Sequence, residues 1–436
     1  MSGERGVPSG PGAASSGPVE APPSAPPPVP LSRNRGYRLL WGSQALSEFG
    51  FHATMIAFPL LVLALTGSGA ASGLVMGTIA AAQMVAGLPA GVLVDRYDRK
   101  ALMLVCEAAQ AVSAISLVVA VWADAATVPH MVAVAAVFGA AAALFEPAEN
   151  AALPLLVDTT QLPAAVSMNT ARASMGQLSG TATGGFLFAV GRFVPFLADA
   201  VMHTLSFVAL LFLRLPKPER PAAPPGRLGH EMLAGLRWVW QERRIRVTIL
   251  CAVVLNLFFS AFYLVVIVLA GTRGVPSGEV GVMAAMLGVG GVAGALAAPA
   301  LHSRLGPYRA IVAVFWGLTV LTPVAAVVHS GYLTGVLFAL MALFPPTANT
   351  AIMTEQLLRT PDELRGRLTS ALALACGVAG AAGPALGGLL TQALPGDQAI
   401  LVCSAGMAAA AVLATASPTL RGLSTNAPSG NRPTGA

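Results

Sequence analysis

The chain has 436 residues, of which 55% are hydrophobic and 10% charged, with a mean hydropathy of +0.72. Water-soluble domains carry about 25% charged residues, so this composition excludes a soluble globular protein and calls for lipid as the solvent. The net charge of +6 is spread along the chain as a topology signal, which argues against a nucleic-acid partner.

Residues 1–32 form a Pro/Ala/Gly/Ser tail containing PPSAPPPVP, which has nothing to bury and is expected to be a disordered cytoplasmic tail. About 20 apolar residues cross a ~30 Å hydrocarbon core. Twelve such spans follow, at 38–65, 70–93, 101–123, 130–156, 165–190, 194–214, 246–271, 278–301, 309–328, 332–357, 367–394 and 397–417. With the N-terminus inside, the cytoplasmic segments hold Arg33, Arg35, Arg96, Arg99, Lys100, the group from Arg214 to Arg246, Arg304, Arg309, Arg359, Arg365 and Arg367. The outer loops hold little more than Arg192 and Arg273. This positive-inside asymmetry places both termini in the cytoplasm of a multi-pass inner-membrane protein.

The first six spans form an N-terminal bundle over 33–214 and the last six a C-terminal bundle over 246–417, with a cytoplasmic tail at 418–436. The linker 215–245 is Pro-rich and basic, then reads GHEMLAGLRWVWQERRIR. Leu233, Leu236, Val239 and Trp240 recur there at helical spacing, so a short amphipathic helix is expected in the cytoplasmic interface. Cys106, Cys251, Cys376 and Cys403 fall inside spans without CxxC spacing, which points to neither a disulfide nor a metal site.

The two bundles repeat one another. ALFEPAENAALP (Ala143–Pro154) is answered by ALFPPTANTAIM (Ala342–Met353), LSGTATGGFL (Leu178–Leu187) by AAGPALGGLL (Ala381–Leu390), and LVDRYDRK (Leu93–Lys100) weakly by LHSRLGPYR (Leu301–Arg309). Matches in the same order imply an all-α integral membrane fold of twelve transmembrane helices, built as two six-helix bundles related by a parallel repeat. In that architecture a site is expected between the halves near the midplane.

These residues resemble the major facilitator superfamily. GVLVDRYDRK (Gly91–Lys100) is similar to its signature loop Gly-x-Leu-x-Asp-Arg-x-Gly-Arg-Lys, with Asp98 in place of the second Gly. GPALGG (Gly383–Gly388) resembles the Gly-Pro-x-x-Gly-Gly motif that the superfamily's antiporters carry in the fifth span. Here the fifth span reads GTATGG from Gly180 to Gly185, and the full motif, with Pro384, lies in the eleventh. LFEPAENAALPLLV, FLADAVMHTLSFV, GLRWVW and PDELRGR resemble the bacterial subgroup containing the enterobactin exporter and related drug-efflux proteins. Where that subgroup often has Ser-x-x-Gly-Asp in span one, this chain has Ser47-Glu48-Phe49-Gly50 followed by Phe51.

The resemblance implies alternating access, and the residues supply parts for it. Gly91, Asp95, Arg96, Arg99 and Lys100 form the expected gating loop. Asp95 is suited to accept hydrogen bonds from the positive N-terminus of a neighbouring helix, by resemblance span eleven near Gly366 and Arg367. Arg96, Arg99 and Lys100 are expected to reach acidic partners or anionic lipid. Gly176, Gly180 and Gly184, and Gly377, Gly380, Gly383 and Gly387, give smooth stripes for close helix packing, with Gly185 and Gly388 adjoining them.

A charge near the bilayer centre costs at least ~2.5–3.5 kcal/mol, so retained ones are functional candidates. Glu146 and Glu149 share a helix face, and two close carboxylates at low dielectric resist double ionisation, which equips them to bind and release a proton. Glu48 and His52 form an i,i+4 pair, as do Asp199 and His203. Arg172 either pairs with Glu146 or Glu149 or snorkels to the interface. Phe51, Met55, Asn256, Tyr263 and Met341 are the candidate lining of an adaptable apolar cavity.

The expected function is therefore secondary active export of a hydrophobic or amphipathic small molecule by proton antiport. The partners are that substrate and the bilayer, the expected state is a monomer, and no cofactor beyond the proton gradient is expected. Uptake by the same fold and a non-transporting membrane sensor are the alternatives. An enzyme is not expected: no nucleophile–base motif, metal-ligand spacing or GxxxxGK[ST] occurs.

Overall fold

The computed structural model describes residues 29–216, 243–349, 352 and 362–421. Residues 1–28 of the expected tail 1–32, 217–242 of the expected linker 215–245, 422–436 of the expected tail 418–436, and Arg359 lie outside the described residues. So do the side chains of Arg365 and Arg367.

Asn34, Ser68, Asp98 and Thr127 each accept a backbone N–H three residues on and thereby cap the first four helices, α1 (Arg35–Thr66), α2 (Gly69–Arg96), α3 (Arg99–Trp122) and α4 (Val128–Leu156). The cap explains Asp98 where the signature loop has Gly. Helices α5 (Leu162–Val190) and α6 (Val194–Leu211) complete the first half. The second comprises α7 (Arg243–Thr272), α8 (Ser277–Leu321), the short α9 (Val324–Val327), α10 (Gly331–Ala342), α11 (Asp362–Ala393), α12 (Gly396–Ala416) and the short α13 (Pro418–Arg421). In lipid every backbone group must be satisfied within the segment, which dictates helices throughout.

Two expected spans merge in α8. Gly306 breaks it with a φ of 70°, left-handed backbone that glycine adopts readily, so Ser277–Ala298 and Tyr308–Val327 are separate crossings. Ten described segments are long and apolar enough to cross a membrane. Helices α5 and α11, of 29 and 32 residues, are as long but diluted by Gly, Ser and Thr, and they complete the twelve.

Within the first half, α1 packs on α5 and α6, α2 on α4, and α3 on α4 and α6. Phe58 centres that core, with ring centroids 6.0 Å from Phe138 and 5.2 Å from Phe196. The second half repeats the plan, α7 on α11 and α12 and α8 on α10 and α12, around Phe262, Phe315 and Phe338.

The halves meet mainly along two pairs, α2 with α11 and α5 with α8, and Ile56 and Leu60 of α1 join the core of the second half. The glycine doublets of the repeat divide this work identically. Gly184 and Gly387 face the first helix of their own half: a Cβ would stand 2.9 Å from Ala53 Cα and 3.1 Å from Ala261 Cα, respectively. Gly185 and Gly388 face across: a Cβ would stand 2.7 Å from Gly281 Cα and 3.0 Å from Gly73 Cα. Both crossings lie at the end remote from the basic loop Arg96–Lys100. Toward the basic end α5 exposes Thr170, Ala173 and Gln177, whereas Gly180, Thr181, Gly184 and Gly185 are buried. Among the described residues the halves are thus closed at one end and parted at the other.

Candidate functional site

Gly176 lets α5 approach α1 beside Glu48, where a Cβ would stand 2.7 Å from the Glu48 Cβ. One turn earlier, Arg172 forks between two helices. It donates to Glu149 on α4 through Nη1 (2.7 Å to Oε1) and Nη2 (3.1 Å to Oε2), and to Glu48 on α1 through Nε and Nη2 (3.2 Å each). Arg172 is 4% exposed and the Glu149 side chain 8%, whereas Glu48 keeps 22% of its surface. The snorkelling alternative is therefore wrong: two carboxylates hold the guanidinium in mid-bundle, and Glu146 is not a partner. Asn169 donates to Glu149 Oε1 at 3.4 Å and orients it.

A cavity of about 440 Å³ opens beside this fork, bordered by Glu48, Phe51, Glu146, Glu149 and Arg172. Its opposite wall carries a residue overlooked in the sequence, Glu107 on α3. Buried at 1% exposure, Glu107 accepts hydrogen bonds from Gln44 Nε2 (3.0 Å) and Ser47 Oγ (2.9 and 3.0 Å), and contacts His203 Nδ1 at 2.7 Å. Glu146 is exposed to the gap, with no partner among the described residues. Four carboxylates thus face one guanidinium and two imidazoles, those of His52 and His203, around this space. By sequence the acids of the second half stay near span ends, at Glu279, Glu355, Asp362, Glu363 and Asp397.

The other expected positions fall differently. Of the five cavity candidates, Phe51 alone borders the described cavity. Met341 is fully buried in the core of the second half, Tyr263 stacks on Phe338 at 5.7 Å, and Met55 packs on the core of the first half. Asn256 donates to Ala252 O of its own helix. His52 does not pair with Glu48; it lies edge-on to the Phe51 ring at 5.5 Å.

In the gating loop, Asp95 and Arg96 are exposed, and a Cβ on Gly91 would meet nothing within 4 Å among the described residues. Arg99 donates to Ala151 O of α4 and Lys100 to Leu211 O of α6, each at 2.7 Å. These cations bind carbonyls near helix C-termini within their own half, where the dipole favours positive charge. The Gly366 and Arg367 side expected to meet Asp95 lies outside the described side chains.

A two-half helical bundle parted at one end, with a charged cavity inside the membrane, defines a membrane transporter of the major facilitator type. Residues 26–432 match the transmembrane secretion effector family, and the chain belongs to it. Over 405 residues it is 26% identical to the multidrug efflux pump Tap of Mycobacterium tuberculosis, covering 89% of this chain and 95% of that one. It is 31% identical over 189 residues to the uncharacterized MFS-type transporter YfiS of Bacillus subtilis, covering 42% and 44% of the two chains. Among solved structures, it resembles a mutant of the nucleoside transporter NupG, with a TM-score of 0.75 at 12% identity over 88% of this chain and 99% of that one. It also resembles a bacterial homologue of the human lysosomal transporter Spinster in an inward-facing, unoccupied conformation, with a TM-score of 0.72 at 15% identity over 90% and 98% of the chains. Likeness at those identities speaks to fold alone.

Proposed function

We propose that this chain is a secondary active exporter of the plasma membrane, moving a hydrophobic or amphipathic small molecule outward against inward proton flow. The observation that carries this reading is the first-half cavity, in which carboxylates outnumber cations and which opens where the two halves part. An excess of carboxylates at low dielectric suits an amphipathic cation, drawn first to the exposed Glu146 and then to Glu48, the less buried of the two acids on Arg172. Closure at the remote end and parting at the basic end support this reading, since alternating access requires such a state, with the basic end cytoplasmic by the positive-inside rule. The multidrug efflux relative supports the substrate class. The expected working unit is a monomer with both termini in the cytoplasm.

The test is transport of ethidium, a lipophilic cation, by the purified chain in proteoliposomes with an imposed pH gradient. Ethidium movement should follow the gradient, with protons counted moving the opposite way. Movement indifferent to the gradient would refute proton antiport and leave a uniporter or a carrier coupled to another ion.

A further inference from the structure

Behind the Arg172 fork, on the far wall of the cavity, His203 on α6 stands between two carboxylates. Its Nδ1 is 2.7 Å from Glu107 Oε2 and its Nε2 is 3.3 Å from Asp199 Oδ1. All three groups are at most 1% exposed. The two contacts are unequal. Glu107 is saturated, bonded also by Gln44 and Ser47, whereas Nε2 and both oxygens of Asp199 lie buried without an aligned hydrogen bond among the described residues. The hydroxyls of Thr54 and Ser206 are buried in the same condition. Gly50 on α1 faces the triad directly, since a Cβ there would stand 2.6 Å from Asp199 Oδ1.

Counting hydrogens decides what such a site can hold. Each contact between a ring nitrogen and a carboxylate oxygen needs one hydrogen, and a neutral imidazole supplies one for two contacts. One further proton completes the set, either on the ring as imidazolium or on Asp199 as the acid. Without it, a nitrogen lone pair confronts a carboxylate oxygen in a dry environment, a costly arrangement. The described acids and histidines do not converge as metal ligands would, so the missing partner is a proton.

We propose that Glu107, His203 and Asp199 form the proton-carrying site of the transport cycle, separate from the substrate-facing Glu48 and Glu146. This rests on the proton-antiport reading. The proton enters from cavity water, since Glu107 and His203 border the cavity while Asp199 lies behind them; it adds to the Nε2–Asp199 contact and leaves by the same route, and no other bond changes. Glu107 from α3 and Asp199 from its own helix contact His203, and Glu48 and His52 from α1, Arg172 from α5, and Glu146 and Glu149 from α4 share its cavity. The α4 Phe138 ring meets its imidazole edge-on at 6.2 Å. Helix α1 ties this site to the substrate: Ser47 bonds Glu107 while the next residue, Glu48, bonds Arg172. Loading one network therefore bears on the same turn of helix as loading the other.

The test separates coupling from binding in full-length protein in proteoliposomes, with ethidium as probe. Gradient-driven transport reports coupling, and exchange across equal pH reports binding and conformational cycling without net proton flow. In Asp199→Asn the amide donates to Nε2 and holds the contact permanently complete. Gradient-driven transport should fall about tenfold or more, while exchange stays within about twofold of wild type. His203→Gln should give the same split; if it does not fold, the isosteric Asp199→Asn alone decides. Both variants following the gradient like wild type would overturn the triad and return the proton to Glu48 or Glu146. Equal loss of exchange and driven transport in Asp199→Asn would also overturn it, as a structural role. Wild-type transport that ignores the gradient would instead sink the antiport reading itself.

Discussion

Replacing Arg172 with Met isolates the worth of the fork. The substitution keeps an unbranched apolar stem but removes the guanidinium and its four charge-assisted hydrogen bonds, two to each carboxylate. Glu149, with 8% of its side chain exposed, is left charged and unpaired, whereas Glu48 at 22% still has access to cavity water. Breaking a buried pair on one side costs about 3–5 kcal/mol, and the partial exposure of Glu48 puts the expectation near the lower figure. At about 2–4 °C per kcal/mol for a unit the size of one half, a loss of about 3 kcal/mol lowers the melting temperature by about 6–12 °C. Thermal unfolding followed by tryptophan fluorescence in detergent measures it. Acidification should recover part of the loss, because protonation neutralises the stranded carboxylates. Removing the carboxylates too, in R172M/E48Q/E149Q, should restore most of it, since a pair replaced on both sides is nearly neutral. An R172M protein melting within about 1 °C of wild type, or a triple variant no better than the single one, would refute the fork as described.

Glu146→Gln removes an exposed, unpaired carboxylate, so stability should stay within about 0.5 kcal/mol while the apparent affinity for ethidium weakens several-fold, read by equilibrium binding in detergent. Asp98→Ala deletes the α3 cap and should cost about 1 kcal/mol, visible as a small drop in melting temperature with ethidium transport retained. Gly185→Ala puts a methyl 2.7 Å from Gly281 Cα; ethidium transport should be lost with little change in melting temperature, because the methyl disturbs the contact between halves and not the core of either.

The helices were legible because each apolar run had to satisfy its backbone internally and was punctuated by capping residues or glycines. Even Gly-rich α5 could be placed, through its repeat in α11. The α8 break at Gly306 matched the expected interruption near Arg304 and Arg309. The charge network was legible only in part. Glu149 and Arg172 were in view, but which partner Arg172 chose depended on α1 and α5 closing at Gly176, a tertiary fact. Glu107 was overlooked because no acid or base lies one turn away from it in span three. Its partners are 60, 63 and 96 residues distant in sequence. The cost of burying any charge in mid-span, applied to the other acids, was the signal that would have found it. The apolar cavity residues misled for the opposite reason: Met341 and Tyr263 have the chemistry of a lining, but composition does not tell a core-facing side from a cavity-facing one.

The glycine doublets have a mechanical consequence. Consecutive residues on an α-helix point about 100° apart, so two adjacent glycines are the shortest sequence that can serve two neighbours at once. One weds α5 or α11 to its own half, and the next presents bare backbone to the other half. Each helix is thus both strut and bearing, packed on its own half on one flank and bare at the second glycine on the other. At these four positions, which carry no chemistry of their own, the packing within each half and the contact between halves are set by backbone alone.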